Sequence, residues 1–268
     1  MGSVAVEDVP ATRSFSGLLR AARATRPLCA IGAGHATHTR LVALRLLAGV
    51  PTLVLMRPSL PYGLFTHCIV PEHDSPPART NIIPTVGALA PRPPLRPREP
   101  GLGLILLGGT SNHYVFDPSE IEGQVAALVT EGSADRWIIA DSRRTPTGLL
   151  DTFEWRFGGL PGVSVMHAQN SAPGWLPDML GRAGQVWVSP DSLSMVFEAL
   201  SAGSKVGLFN LSPKGETRVV RAMRGLAAGG YVGTPGAGLP PRETALDEAG
   251  RVARLLAAKN FFAKGMRL

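Results

Sequence analysis

Residues 186–209 read Val186-Trp187-Val188-Ser189-Pro190-Asp191-Ser192-Leu193-Ser194-Met195-Val196-Phe197-Glu198-Ala199-Leu200-Ser201-Ala202-Gly203-Ser204-Lys205-Val206-Gly207-Leu208-Phe209. A short β-branched and aromatic run enters a polar turn. A helix with hydroxyls in its first turn follows, ends at Gly203, and gives way to a second apolar strand. Strand, turn, helix, strand is the unit of a parallel α/β sheet. The free N–H groups at such a helix start suit a phosphate or another anion. Ser194 and Glu198 lie four apart on one helix face, so a hydroxyl and a carboxylate can meet one ligand. The plainer alternative is that Ser189 or Asp191 only caps the helix.

Outward from this stretch the same alternation fills the chain. Helical spacing runs from Ser14 to Thr25, and Pro27–Ile31 is an apolar strand ending in Gly32-Ala33-Gly34-His35. A helix is predicted over Thr37–Ala48, then strands at Thr52–Met56 and His67–Val70. Residues 90–100 carry five prolines among Ala90-Pro91-Arg92-Pro93-Pro94-Leu95-Arg96-Pro97-Arg98-Glu99-Pro100. Proline lacks the donor that a helix or a central strand needs, which marks a semi-rigid linker. Beyond it, strands are predicted at Leu102–Leu107, Trp137–Ala140 and Val163–Met166. Helices are predicted at Ser119–Thr130, Thr147–Phe157, Pro177–Arg182, Glu216–Leu226 and from about Glu243 to Ala258. The expected organisation is an N-terminal α/β domain (1–89), a linker (90–101), a second α/β domain (102–242) and a C-terminal helix (243–268) able to pack back on the first domain.

Composition narrows the function classes. The chain has 268 residues, a formal charge of +7, 31 glycines and 24 prolines, enough to bury a real core between many loops. The positive charge is scattered and arginine-based, without a dense basic run, so nucleic-acid binding is not expected. Cys29 and Cys68 each sit in an apolar run away from any metal-spaced partner, as expected of reduced thiols. No basic-then-apolar leader opens the chain and no apolar run reaches a membrane span, so a cytoplasmic protein is expected. His35, His38, His67, His73, His113 and His167 lack zinc-type spacing, and no metal is expected. A full dinucleotide fingerprint, a phosphate-binding P-loop and a hydrolase Gly-x-Ser-x-Gly elbow are all missing.

Three polar turns fall at predicted strand ends in the second half: Gly108 to His113, Ser142 to Thr145, and Pro190 to Ser194. In a parallel sheet they share one edge. Glycine at Gly108 and Gly109 lets a backbone come close to a ligand, and Arg143 and Arg144 can neutralise a diphosphate. In the first half, Pro71-Glu72-His73-Asp74 follows a strand and sets a carboxylate beside an imidazole, a pairing suited to general-base work. Tight turns and solvated loops made of the same residues are the ordinary alternative at each place.

Taken in order, Pro71-Glu72-His73-Asp74, Gly108-Gly109 with Asn112-His113-Tyr114, Ser142-Arg143-Arg144-Thr145-Pro146 and Asp191-Ser192-Leu193-Ser194-Met195-Val196-Phe197-Glu198-Ala199 resemble the elongated-mitochondria (mitochondrial fission) family over roughly residues 28–230. Its bacterial branch is described as glycosyltransferases or nucleoside-diphosphate-sugar epimerases. The resemblance implies an α/β fold of two Rossmann-like domains, GT-B-like, with parallel sheets and an interdomain cleft. The family's N-terminal apolar strand and Gly-His loop have no obvious counterpart before residue 28, as expected of either a shortened relative or one with a divergent start on the acceptor side. By position it implies a nucleotide-sugar site at Gly108, Gly109, Thr110, Ser111, Ser142, Arg143, Arg144, Asp191, Ser192, Ser194, Met195 and Glu198. Ser192 and Ser194 would meet phosphate, Glu198 the ribose, and Arg143 and Arg144 the leaving-group charge. A base would come from Asp74, His73 or His35.

The implied function is metal-independent transfer of a sugar from a nucleoside-diphosphate sugar, without a cofactor, in bacterial cell-surface glycan assembly. The acceptor would be a glycan or a lipid-linked glycan, with peripheral association to the inner membrane left open. The plant relatives recruit a GTPase rather than perform known chemistry, so a non-catalytic recruitment protein on the same scaffold is the alternative. An epimerase using a bound nicotinamide would require the dinucleotide fingerprint that is missing.

Overall fold

A computed structural model describes residues 5–10, 14–94, 96–241, 245–259 and 261. The chain divides into two compact units, Met1–Val86 with Gly250–Leu268, and Gly87–Ala249.

The first unit holds α1 (Phe15–Thr25), β1 (Ala30–Ala33), α2 (His35–Ala48), β2 (Thr52–Leu55), β3 (His67–Pro71) and β4 (Ile82–Thr85). Its sheet runs β1-β2-β3-β4, all parallel. Ser14 caps α1, its hydroxyl accepting from the Gly17 N–H, and Leu18 and Ala22 of that helix pack with Leu44 and Val50. A second cluster of Leu41, Val54, Phe65, Cys68, Val70 and Ile82 joins α2 to the sheet. Strand β4 carries Pro84 in its middle. It lies at the sheet edge, where a missing donor costs no ladder hydrogen bond. The C-terminal helix α8 (Glu248–Ala258) belongs mostly to this unit. The helix expected from Glu243 is observed from Glu248, and residues 243 and 244 lie outside the described residues. The Arg251 guanidinium donates to the Pro84 carbonyl at 2.6 Å, and the Phe261 ring meets His67 edge-on at 5.4 Å.

The second unit holds β5 (Glu99–Leu106), α3 (Pro118–Thr130), β6 (Arg136–Ala140), α4 (Leu149–Phe157), β7 (Val163–Met166), α5 (Trp175–Arg182), β8 (Ala183–Val188), α6 (Leu193–Ala202), β9 (Lys205–Leu208) and α7 (Arg218–Ala228). Its parallel sheet runs β7-β6-β5-β8-β9. The core between sheet and helices is large and aromatic: Ile105, Leu107, Ile121, Val125, Trp137, Ile139, Phe153, Phe157 and Trp187 among others. One expectation is corrected here. Strand β5 begins inside the proline run, so Glu99 and Pro100 belong to a central strand. A shift in register between Glu99 and Gly103 accommodates the proline. Arg98 anchors that entry, donating to the carbonyls of Ala183 and Ala202 and to the Ser204 hydroxyl.

Strand order places the functional edge. The chain builds from β5 outward through β6 to β7, then returns to the other side of β5 for β8 and β9. The order therefore reverses between β5 and β8, and in open α/β sheets ligands bind at the carboxyl ends of the strands at such a switch. The two units are thus α/β and Rossmann-like, each built on a parallel sheet.

Candidate functional site

The carboxyl ends of β6, β5 and β8, neighbours in the sheet, carry the three polar turns. Ser189 leaves β8 and turns its hydroxyl back across the strand gap. Its Oγ accepts the Gly108 N–H and donates to the Leu106 carbonyl at 3.3 Å. Asp191 then points into the same corner. Its Oδ2 accepts the Gly109 N–H at 3.2 Å and pairs with the Arg144 guanidinium at 2.9 Å. On the β6 side, the Thr145 hydroxyl donates to the Gly108 carbonyl at 2.6 Å and the Ser142 hydroxyl to the same oxygen at 3.3 Å. Gly108, Gly109, Ser142, Arg144 and Asp191 are therefore one hydrogen-bonded cluster at the switch point.

The glycines are also required by the packing of the corner itself. A Cβ on Gly108 would lie 2.2 Å from Asp191 Oδ1, and one on Gly109 would lie 1.7 Å from the Arg144 carbonyl oxygen. Both residues are glycine to admit a buried carboxylate and a crossing main chain. The immediate space above them is filled by the protein itself.

Helix α6 starts without a side-chain cap, as do α2, α4 and α5, whose capping residues are glycines. Helices α1, α3 and α7 are capped by the side chains of Ser14, Asp117 and Thr217. At α6 the capping position is Ser192, whose side chain makes no capping hydrogen bond, and Asp191 is turned toward Gly109 and Arg144 instead. The capping role considered for Ser189 and Asp191 is thus filled by neither, and among the described residues the first-turn N–H groups have no side-chain acceptor. Around this start, Ser194 is exposed, Met195 and Glu198 are half-buried, and Ser192 is buried. Among the described residues the Glu198 carboxylate has no hydrogen-bond or ion-pair partner, and burial raises its pKa above the usual glutamate value.

Arg143 is exposed and, among the described residues, has no ion-pair partner. Thr110 is exposed, with its N–H on the Arg144 carbonyl at 3.3 Å. Ser111 is turned to its own loop: its Oγ accepts the N–H groups of His113 and Tyr114, each at 3.2 Å. Lys214, from the loop before α7, donates to the Ser111 carbonyl at 2.8 Å. Sequence reasoning missed Ser189 and Lys214 as site-builders. Ser189 could have been found from its place directly after the strand; Lys214 has no local signal, since a loop 103 residues away brings it in.

In the first unit the candidate bases lie at the carboxyl ends of their strands. Glu72–Asp74 form a 3-10 turn directly after β3, and His35 opens α2 directly after β1. Strand β2 separates them, so the sheet holds the two places about 10 Å apart. Asp74 is buried with its Oδ2 unpartnered, His73 is half-buried, and His35 is exposed. His38 is buried, and its Nδ1 accepts the Ser59 N–H at 3.2 Å and lies 2.8 Å from the Ser59 hydroxyl. Desolvation lowers its pKa, with His35 adding to the effect. Both cysteines are free, and burial pushes the Cys68 thiol up to about 12.

One grouping of potential metal donors was not anticipated. Asp151 and Glu154, one turn apart on α4, and His167 after β7 bring ligand atoms within 4.8 Å of one another. Both carboxylates are largely exposed, and the His167 ring sits among Asp141, Asp151 and Glu154 at 3.6–4.0 Å, as a histidine in an acidic surface pocket does. No described helix is long and apolar enough to cross a membrane.

The fold recurs in solved structures. The UDP-GlcNAc 2-epimerase of Methanocaldococcus jannaschii superposes with a TM-score of 0.53 at 8% identity, over 91% of this chain and 80% of that one. MurG of Acinetobacter baumannii gives 0.48 at 12% identity, over 95% and 74%. The UDP-GlcNAc 2-epimerase of Neisseria meningitidis, solved bound to UDP-GlcNAc, gives 0.44 at 12%, over 95% and 75%. At such identities the likeness is one of fold, and the fold is GT-B-like. Comparison with curated proteins returned no significant match. The mitochondrial fission ELM1 family model matches residues 6–259, and the chain belongs to that family.

Proposed function

We propose that the second unit binds a nucleoside-diphosphate sugar at the β5–β8 switch point, and that the protein transfers the sugar without a metal. The observation that carries this proposal is the uncapped start of α6 beside a preorganised turn cluster. The diphosphate would accept from the first-turn N–H groups and the Ser194 hydroxyl, with the helix dipole favouring its charge. Arg143, exposed and without an ion-pair partner among the described residues, would add a charge-assisted hydrogen bond. Glu198, one turn further on, would accept from the paired hydroxyls of the ribose; its half-buried, unpartnered carboxylate is suited to such donors. Fixed donors aimed at the departing nucleoside diphosphate lower the barrier to group transfer by stabilising charge as it develops. Asp74 is the favoured base on the first unit, because its buried Oδ2 has an unused lone pair.

A second reading has its own observation. The corner above Gly108 and Gly109 is closed by the protein's own atoms, which a rigid docking scaffold also requires. Calorimetry with a panel of nucleoside diphosphates separates the two. The transferase proposal predicts saturable binding that weakens at least tenfold when Ser194→Ala and Arg143→Ala are combined, a loss of about 1.4 kcal/mol or more. An absence of binding across the panel, or binding indifferent to the double substitution, overturns it in favour of the scaffold.

A further inference from the structure

We infer that binding of an anionic diphosphate at this corner draws one proton from solvent onto Asp191, which acts as a positioning residue for Arg144. The inference rests on the proposed diphosphate site. The Asp191 side chain is 0% exposed, whereas its counter-ion Arg144 is 42% exposed, with the two in contact at 2.9 Å. A buried acid is thus held by a cation whose arm reaches solvent. The other groups on Asp191 are uncharged: the Gly109 N–H and the Ser189 side chain. The phenol of Tyr114, on the β5–α3 loop, lies near enough to feel the Asp191 charge. On its own element the next titratable group is Glu198. Oδ1 has no hydrogen-bond partner.

A guanidinium on a half-exposed arm is drawn to phosphoryl oxygens, which it can meet with two parallel N–H donors. When Arg144 turns to the ligand, Asp191 is left enclosed, without a counter-charge and beside two negative phosphates. Desolvation and like charge then both oppose its ionised form. Burial already raises the Asp191 carboxyl above the usual aspartate value with Arg144 in place. The proton adds to the unused lone pair on Oδ1, turning carboxylate into carboxylic acid. No bond in the ligand is made or broken. The Arg144–Asp191 ion pair is exchanged for an Arg144–phosphate pair.

The experiment is calorimetry of the full chain with UDP-glucose, ADP-glucose, GDP-mannose, dTDP-glucose and CDP-glucose, in buffers of different ionisation enthalpy at about pH 6. The diphosphate diesters of these probes do not titrate there, so ligand protons do not enter the count. Uptake of roughly one half to one proton per sugar nucleotide is expected, falling as pH rises above the carboxylate range. Asp191→Asn is expected to bind more weakly with no uptake. His113→Gln is expected to keep the uptake, which excludes the loop imidazole as its source. If Asp191→Asn does not fold, Arg144→Ala replaces it: with no guanidinium to pass from Asp191 to the phosphates, uptake is again expected to be lost. Binding of any probe without uptake in the unmodified chain, or uptake that persists in Asp191→Asn, overturns the inference and leaves the diphosphate site standing. No binding by any probe overturns both.

Discussion

Asp191 shows what one enclosed carboxylate can organise. It fixes the Gly109 N–H, holds Arg144 and excludes any Cβ at Gly108. Gly108→Ala must therefore push a pinned side chain aside, at a cost of about 1–3 kcal/mol. Gly109→Ala, which meets the Arg144 main chain, is expected to cost more. Urea midpoints measure both; a Gly109→Ala protein as stable as the unmodified one would contradict the described packing. Glu198 gives a prediction of the opposite sign. Its pKa is raised by burial, so folding favours its protonated form. That contribution is present below the ordinary glutamate range and is lost as pH rises through the raised value. Glu198→Gln should therefore be more stable than the unmodified chain at about pH 8, with the gap closing toward pH 4. The same substitution should weaken nucleotide-sugar binding, a trade common where a site stores an unfavourable group. A stability difference that does not change with pH would count against a strained Glu198. At this scale the sequence told only part of the story. Glycine at Gly108 and Gly109 signalled a close approach, but what lies against Gly109 is the Arg144 main chain, and what lies against Gly108 is Asp191, from far along the chain. No local pattern encodes that partner.

Among the elements, hydrophobic periodicity located most strands and helices, because a parallel sheet covered on both faces needs unbroken apolar runs. The run Val186–Val188 is one, and its strand pairs on both sides. The failures share a cause in proline. Strand β4 was missed because Pro84 interrupts it, and the start of β5 was assigned to the linker because Pro100 does. An edge position tolerates the first and a register shift the second, and both are facts of sheet order that sequence spacing does not carry. Arg98 is the element-scale test of the β5 entry. Arg98→Ala removes donors from the Ala183 and Ala202 carbonyls and from Ser204. The loss should be about 1–2 kcal/mol, discounted for the exposure of the arginine. It should show as faster amide exchange at β8 and the end of α6, and unchanged exchange there would contradict the anchoring role.

For the molecule as a whole, chain order and compact units do not coincide. Residues from Gly250 onward rejoin the first unit, where Val252, Leu256 and Phe261 are buried. Ending the chain at Ala249 should therefore lower amide protection in β3 and β4 while β5 to β8 keep theirs. Equal loss in both units would contradict the division. The family and the fold were legible from motif order, since the polar turns recur at strand ends in a parallel sheet. The candidate site was less so, because it rests on an absent side-chain cap and on an ion pair between a buried aspartate and a half-exposed arginine, which form only once the strands are assembled. The central claim is that the free N–H groups at the start of α6 receive a diphosphate. A crystal structure of the chain soaked with a nucleoside diphosphate tests it most directly. The account predicts phosphoryl oxygens within hydrogen-bond distance of the first-turn N–H groups at Leu193–Met195, with the ribose against Glu198. Diphosphate density seated elsewhere on the chain, with that helix start still empty, would contradict it.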